Sequence, residues 1–491
     1  MSIPSESKNG VEYLTIESTA GSVKGFINKD YPGVAQFLGI RFAEAPIGPR
    51  RWLPPVPKAP ADWIDATQFG PSCPQWKGGP RSVYNSVVTE LQIRDDMDED
   101  CLSVCIWTPA KAAKDSTSAK LPVIVWITGG AFLVGGSTIP YQNPTPWVEQ
   151  SQRHIVVCIN YRLTIFGFPN AAGLEQGQKN VGLLDQRLGL EWVHEHIASF
   201  GGDPDRLTHY GQSAGALGID FHSFQYPDRP LVRGLIMSSG VAMLRLPYAD
   251  PQHQYFTWMA KKLGFDGDDP ADELEFMRQQ PAKKLIQAIE DQFYTGEAPF
   301  LNFQPVVDGV TVFDDYEELS KQGKFSRLPA IIGTLAEEGN SLVGPYNPDG
   351  PDIAAAKRIT KTVFLEPAVK AERARSGHAT TFRYLFKDPA PEGTCSFPNI
   401  SPRPFLRAYH SSDLPLVFGT HPWYRGPSTK LEEKISSAWQ DLFVAFAEDG
   451  PEGLQKLGWN DASKGEGIVL GIGDKGWESV SLKEIDDSLA E

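Results

Sequence analysis

A five-residue turn, Gly211-Gln212-Ser213-Ala214-Gly215, limits this chain more than any other stretch. It is entered through the apolar segment Leu207-Thr208-His209-Tyr210 and left through Ala214-Gly215-Ala216. A strand that turns sharply into a helix brings the two elements across each other, and small residues leave room for that crossing. The G-x-S-x-G spacing predicts a strained turn that lifts the Ser213 hydroxyl clear of the backbone. Downstream, Gly234-Leu235-Ile236-Met237-Ser238-Ser239-Gly240 reads as another apolar strand ending in small residues. Upstream, Phe200-Gly201-Gly202-Asp203-Pro204 closes a helix. The turn reads as a serine nucleophile.

The rest of the chain supplies the sheet that such a turn needs. Leu121 to Thr128 is an unbroken apolar run, the mark of a strand buried on both faces. His154–Asn160, Pro329–Thr334 and Thr380–Phe386 read as further strands, and residues 13–27 and 34–40 as short strands at one edge. Between them, Asp185–Phe200 carries an apolar stripe of Leu188, Trp192, Val193, Ile197 and Phe200 at helical spacing. A last helix runs from Thr429, which forms a capping box with Glu432, to Glu448, and Gly450-Pro451 stops it. Strands alternating with helices predict an α/β chain with a mostly parallel central sheet covered by helices on both faces. No Ser/Gly-rich or Pro-rich linker divides residues 1–491, so a single domain is expected, with helical and loop insertions at 241–328 and 340–363.

Composition removes other classes. A net charge of −15 argues against nucleic acid and anionic membrane surfaces as partners. No run is long enough to span a bilayer, and Met1–Tyr13 lacks a basic segment followed by an apolar one, so a cytoplasmic location is expected. The five cysteines show no zinc spacing, and His194 and His196, two apart on a helix, diverge; neither a metal nor a cofactor is predicted. Cys73 and Cys101 bracket a loop containing Trp76 and Tyr84 that a disulfide could close, while a reducing cytosol would keep both as thiols. Asn399-Ile400-Ser401 matches the glycosylation pattern, a single hit near chance. Oligomeric state is not legible.

A serine hydroxyl needs a base to take its proton and a carboxylate to fix that base's tautomer. The chain order serine, acid, histidine directs attention to Glu337 or Glu338, after the strand at 329–334, and then to His378, His410 or His421. His378 lies in a charged stretch and is the weaker choice. The loop Gly129-Gly130-Ala131-Phe132 directly follows a buried strand and can aim backbone N–H groups at an anion. It lacks the phosphate-loop patterns, so an oxyanion is the better fit.

The chain resembles the type-B carboxylesterase/lipase family, the cholinesterase-like branch of the α/β-hydrolases, over roughly residues 13–240, 329–345 and 363–460. The resemblance rests on ordered motifs: G-I-R-F-A-E-A-P-I-G-P-R-R-W, D-E-D-C-L-S-V, G-G-A-F, N-Y-R-L-T-I-F-G-F, N-V-G-L-L-D-Q-R, F-G-G-D-P, G-Q-S-A-G-A, A-E-E-G-N and Y-H-S-S-D-L-P-L-V-F-G. It implies the α/β-hydrolase fold, with Ser213 as nucleophile, Glu338 as acid and His410 as base. It further implies an oxyanion hole from the N–H groups of Gly130, Ala131 and Ala214, with Gln212 and Ser239 just behind the reacting groups. Arg51 with Glu99, and Arg162 with Asp185, are implied as structural ion pairs. The expected activity is hydrolysis of a small-molecule carboxylic ester through an acyl-enzyme. Lactone formation or acyl transfer by the same triad is the alternative, and a non-catalytic binding relative a minor one. This sequence departs from the family in having Gln212 where glutamate is frequent, Thr128 before the glycine pair, and a shortened segment between Glu338 and Phe364 that predicts a more open site.

Overall fold

Thirteen strands hydrogen-bond into one sheet in the computed structural model, which describes residues 10–77, 82–244, 250 and 252–488. In chain order they are β1 Val11–Ser18, β2 Gly21–Asn28, β3 Val34–Arg41, β4 Trp63–Asp65, β5 Ser103–Pro109, β6 Leu121–Ile127 and β7 Ile155–Ile159. The second half supplies β8 Gly202–Gln212, β9 Gly234–Ser238, β10 Ala330–Leu335, β11 Thr381–Phe386, β12 Glu466–Leu470 and β13 Trp477–Ser481. The spatial order is β1-β2-β3-β5-β7-β6-β8-β9-β10-β11-β12-β13, with β4 beside β2. From β7 to β12 every neighbour is parallel, while β1-β2-β3-β5-β7 and β12-β13 pair antiparallel.

The unbroken apolar run at β6 has its explanation in the two faces of this sheet. Val123, Val125 and Ile127 pack into one core with Leu190 and Val193 of the helix Val181–His196 and Ile219 of the helix Ala214–Gln225. Ile124 and Trp126 point the other way, into a second core with Ile435, Trp439 and Phe443 of the helix Lys430–Asp449. Burying one such aliphatic side chain contributes roughly 1.5–3 kcal/mol against the unfolded chain, so a polar residue on either face of β6 is disfavoured. The expected capping box at Thr429 and Glu432 is present. Two elements are longer than their local patterns suggest. The helix begins at Val181, and β8 runs from Gly202 to Gln212 because pairing with β6 continues from Leu121↔Gly202 to Ile127↔Gly211.

The described part of the 241–328 region carries four helices, the last being Tyr316–Lys321. Its segments Gln254–Lys262, Pro270–Arg278 and Ala282–Thr295 share a separate core with Trp52, Ile165 and Phe166. Both expected ion pairs form as two-pronged contacts: Arg51 to Glu99 at 2.7 and 2.6 Å, and Arg162 to Asp185 at 2.7 Å on each prong. Cys73 and Cys101 are joined in a disulfide that closes the loop carrying Trp76 and Tyr84. Asn399 is buried and its amide donates to the carbonyl of Gly426, which takes it out of reach of glycosylation. Among the described residues no helix is long and apolar enough to cross a membrane.

Candidate active site

The end of β8 and the start of the next helix make the turn that the glycines require. A Cβ on Gly211 would lie 2.4 Å from the carbonyl carbon of Gly215, and one on Gly215 would lie 2.1 Å from the carbonyl oxygen of Ile127. Ser213 sits between them with φ +56°, a left-handed conformation that costs a non-glycine residue about 1–3 kcal/mol. Its N–H donates to the carbonyl of Ser238 at 2.8 Å, which ties the turn to β9. The hydroxyl lines a cavity shared with His410.

Behind that cavity the two neighbouring glutamates face different partners. Glu338 is fully buried. Its Oε1 accepts from the Ser239 hydroxyl at 2.6 Å and the Leu335 N–H at 2.9 Å, and its Oε2 lies 2.6 Å from His410 Nδ1. Glu337 instead receives Arg407 Nε at 2.9 Å and the Ala408 N–H at 3.3 Å. Burial pushes the Glu337 carboxyl upward, and the Arg407 charge works against that rise. His378 lies against the Lys321 carbonyl and His421 against Ser428, so of the three histidines considered His410 alone meets Glu338.

His410 is held from several sides. Tyr84 donates its hydroxyl to the His410 carbonyl at 2.9 Å, and the Phe364 ring packs on the imidazole with centroids 4.8 Å apart. The side-chain nitrogen of Gln212 lies 3.3 Å from His410 Nε2 and can donate to it when the ring carries its proton on Nδ1. With that proton shared with Glu338, Nε2 is left with its single lone pair, which faces the Gln212 amide. No hydrogen bond joins the Ser213 hydroxyl to His410 among the described residues, which is common before substrate binds. Tyr84 and Phe364 were not singled out as site residues from sequence; they reach His410 only through packing of distant segments.

The glycine loop packs against the serine turn, where a Cβ on Gly129 would lie 2.6 Å from the Gln212 carbonyl oxygen. Gly130 and Ala131 have φ +109° and +57°, and Gly129, Gly130 and Ala131 line the cavity beside Ser213. A Cβ on Gly130 would meet the Val134 carbonyl oxygen at 2.1 Å, so glycine is required there. Among the described residues, the N–H groups of Gly130, Ala131 and Ala214 donate to no protein acceptor. Thr128 donates its hydroxyl to Gln142 at 2.9 Å and thereby braces the base of the loop.

A third carboxyl lies beneath this arrangement. Asp413 is fully buried, and neither of its oxygens has a hydrogen-bond partner among the described residues. Burial pushes its carboxyl up to about 8, and the Glu338 charge adds to the rise. The folded chain therefore holds a proton at Asp413 that the unfolded chain releases near pH 4. The sign is destabilising as pH rises: stability falls between about pH 4 and pH 8, by on the order of 5 kcal/mol in all. Asp413→Asn should remove that slope. Denaturant titrations at pH 5 and pH 9 should show the variant gaining on the parent protein at the higher pH; an equal difference at both would show that Asp413 is not the group responsible.

The cavity above Ser213 measures about 960 Å³. Leu342, Gly344 and Pro345 of the short segment after Glu338 form part of its wall. Its mouth carries Trp76, Phe293, Tyr294 and Phe300. Among the described residues no group of three or more His, Cys, Asp or Glu side chains could hold a metal.

Fold and site together define the class: an α/β-hydrolase with a serine turn, an acid–histidine pair and unpaired backbone donors around one cavity. The carboxylesterase family model matches residues 12–358 and 352–486, and the chain belongs to that family of carboxylic ester hydrolases. It is 39% identical to the chlorogenic acid esterase of Aspergillus niger over 447 residues, covering 91% of this chain and 85% of that protein. It is 38% identical to secreted lipase 5 of Gibberella zeae, covering 91% and 87%. The para-nitrobenzyl esterase of Bacillus subtilis is 29% identical, covering 89% and 90%. A solved structure titled thermophylic PNB esterase superposes with a TM-score of 0.77 at 27% identity, covering 97% of this chain and 100% of that one.

Proposed function

We propose that Ser213, His410 and Glu338 carry out ester hydrolysis, on the single observation that His410, 2.6 Å from Glu338, lines the same cavity as the left-handed Ser213. Glu338 holds the Nδ1–H of His410, so Nε2 takes the Ser213 proton as Oγ adds to the ester carbonyl. The oxygen that becomes negative is held by the N–H groups of Gly130, Ala131 and Ala214, each such donor being worth ~10²–10³ in rate. Collapse expels the alcohol, which takes the proton from His410. Water then repeats the sequence on the acyl-enzyme, releases the carboxylic acid and restores Ser213.

The volume and aromatic mouth support esters with a bulky, ring-bearing group, consistent with relatives named for chlorogenic acid and para-nitrobenzyl esters. Because the mouth reaches solvent at half-exposed Phe300, water is the favoured acceptor over lactone formation or acyl transfer. Residues 11–481 act as one catalytic unit, since strands from Val11 to Ser481 join a single sheet. The closed Cys73–Cys101 bridge, with a relative named secreted lipase 5, favours an oxidising compartment over the cytoplasmic location expected from the first residues. The test is a fluorophosphonate label mapped by peptide analysis, alongside p-nitrophenyl esters from acetate to decanoate. Labelling of Ser213 with turnover of these esters is expected; labelling elsewhere, or none, would overturn the assignment and favour a binding role.

A further inference from the structure

The cavity has an unusual charge content. Apart from His410, its lining among the described residues contains one ionisable group that is charged at neutral pH, Lys77, and no carboxylate. Glu338 lies behind the wall, and the position beside the histidine where a carboxylate could face the cavity is held by the amide of Gln212. Lys77 is exposed and makes no ion pair among the described residues. It follows Trp76, whose ring packs on Phe293 with centroids 4.5 Å apart and on Tyr294 at 6.3 Å. Phe293, Tyr294 and Phe300 are 40%, 58% and 51% exposed, large apolar surfaces left open at the entrance. Among the described residues the site is thus an apolar chamber with an aromatic rim and one positive charge.

From this we infer that the cavity selects esters bearing an aromatic ring and a remote anionic group such as a carboxylate, and rejects cationic esters. The inference rests on the reading of Ser213 as the reacting group. A ring entering the mouth has faces of Trp76 and Phe293 to pack against, and offset or edge contacts between rings add to the area they bury. A carboxylate on that ring finds the Lys77 ammonium without a competing acid. A quaternary ammonium can stack on the same ring faces, but it meets the like charge of Lys77 and no carboxylate among the described lining residues. Because a para substituent keeps its charge unchanged as the ester carbonyl reacts, Lys77 should bind it alike in ground state and transition state, so its effect belongs in KM and not in kcat.

The experiment uses three aryl butyrates that differ only in the para substituent: carboxylate, carboxamide and trimethylammonium, each rate normalised to its hydroxide-catalysed hydrolysis. The expected order of kcat/KM is anionic above neutral by about fivefold or more and cationic last, a spread that shrinks on raising salt as screening shortens the reach of an exposed charge. Lys77→Ala should abolish the anionic preference and Lys77→Glu should invert it, both through KM. Phe293→Ala should raise KM for all three while leaving the charge order intact. Equal rates for carboxylate and carboxamide, or a preference untouched in Lys77→Glu, would overturn the inference while leaving the esterase site standing. A steep rate increase on triacylglycerol emulsions without charge preference would also overturn it, marking the aromatic rim as a lipid-contacting surface. Failure of all three esters together with no fluorophosphonate labelling would remove the reading of the site itself, and the inference with it.

Discussion

Replacing Ser213 by alanine should lower kcat/KM for p-nitrophenyl butyrate by a factor of about 10⁵–10⁶ and leave the fold unchanged. The size follows from what remains: the N–H groups of Gly130, Ala131 and Ala214, proposed as the oxyanion hole, would still face the ester carbonyl, and such donors with substrate binding retain a residual ~10³–10⁴ over water. The structural cost is small, because the Ser213 side chain makes no hydrogen bond among the described residues that alanine would forfeit. The strain at φ +56° belongs to the backbone and is shared by both side chains. Ser213→Gly should lose activity as completely yet gain stability, since glycine adopts that conformation without cost. Steady-state rates beside thermal melts check both halves. A Ser213→Ala variant that kept more than about one part in a hundred of parental kcat/KM, far above the ~10⁻⁵ expected from loss of a nucleophile, would show that another group carries the chemistry.

How much of this could be read without coordinates depends on how local each determinant is. β6 and β7 announced themselves because both of their faces are buried, which leaves no room for polar residues in Leu121–Ile127 or Ile155–Ile159. The turn at Ser213 is equally local, since Gly211 and Gly215 are demanded by atoms within the same few residues and the adjoining β6. β13 was not anticipated for the opposite reason: Trp477–Ser481 is an edge strand, mostly exposed, and shows no long apolar run. β5 mixes Ser103, Cys105 and Thr108 among its apolar residues, although all seven of its residues are buried. Sequence spacing could not divide the adjacent glutamates, because Glu337 and Glu338 differ only in which side of one turn each faces; family resemblance pointed to the second, and in the fold Glu338 lies against His410 while Glu337 meets Arg407. Asp413 stood inside a recognised motif without a role, since its burial beneath Glu338 is a product of three-dimensional packing.

The adjacent glutamates allow a sharper test than any single substitution. Glu338→Gln should cost about 10⁴ in kcat, close to 5.4 kcal/mol of transition-state stabilisation. The replacement keeps the shape, and its carbonyl can still accept from Ser239 and Leu335, so the local fold has no reason to collapse. What changes is the group facing His410 Nδ1. If the amide nitrogen turns there, it donates, and the ring must move its proton to Nε2, where it can no longer accept one from Ser213. If the amide oxygen turns there instead, the tautomer is kept but Ser239 and Leu335 face a donor, and the charge that stabilises the protonated imidazole is gone. Either arrangement slows acylation, so fluorophosphonate labelling should slow in proportion while KM moves little. Glu337→Gln is the matched control. It weakens the Arg407 contact and the bond to the Ala408 N–H, a few residues from His410, but leaves the tautomer alone. Its effect should be seen in thermal stability, with kcat changed by no more than about threefold, under 1 kcal/mol. Similar kinetic losses in the two variants would mean that the carboxylates act through the loop they share; the expected gap of more than a thousandfold would assign the tautomer of His410 to Glu338.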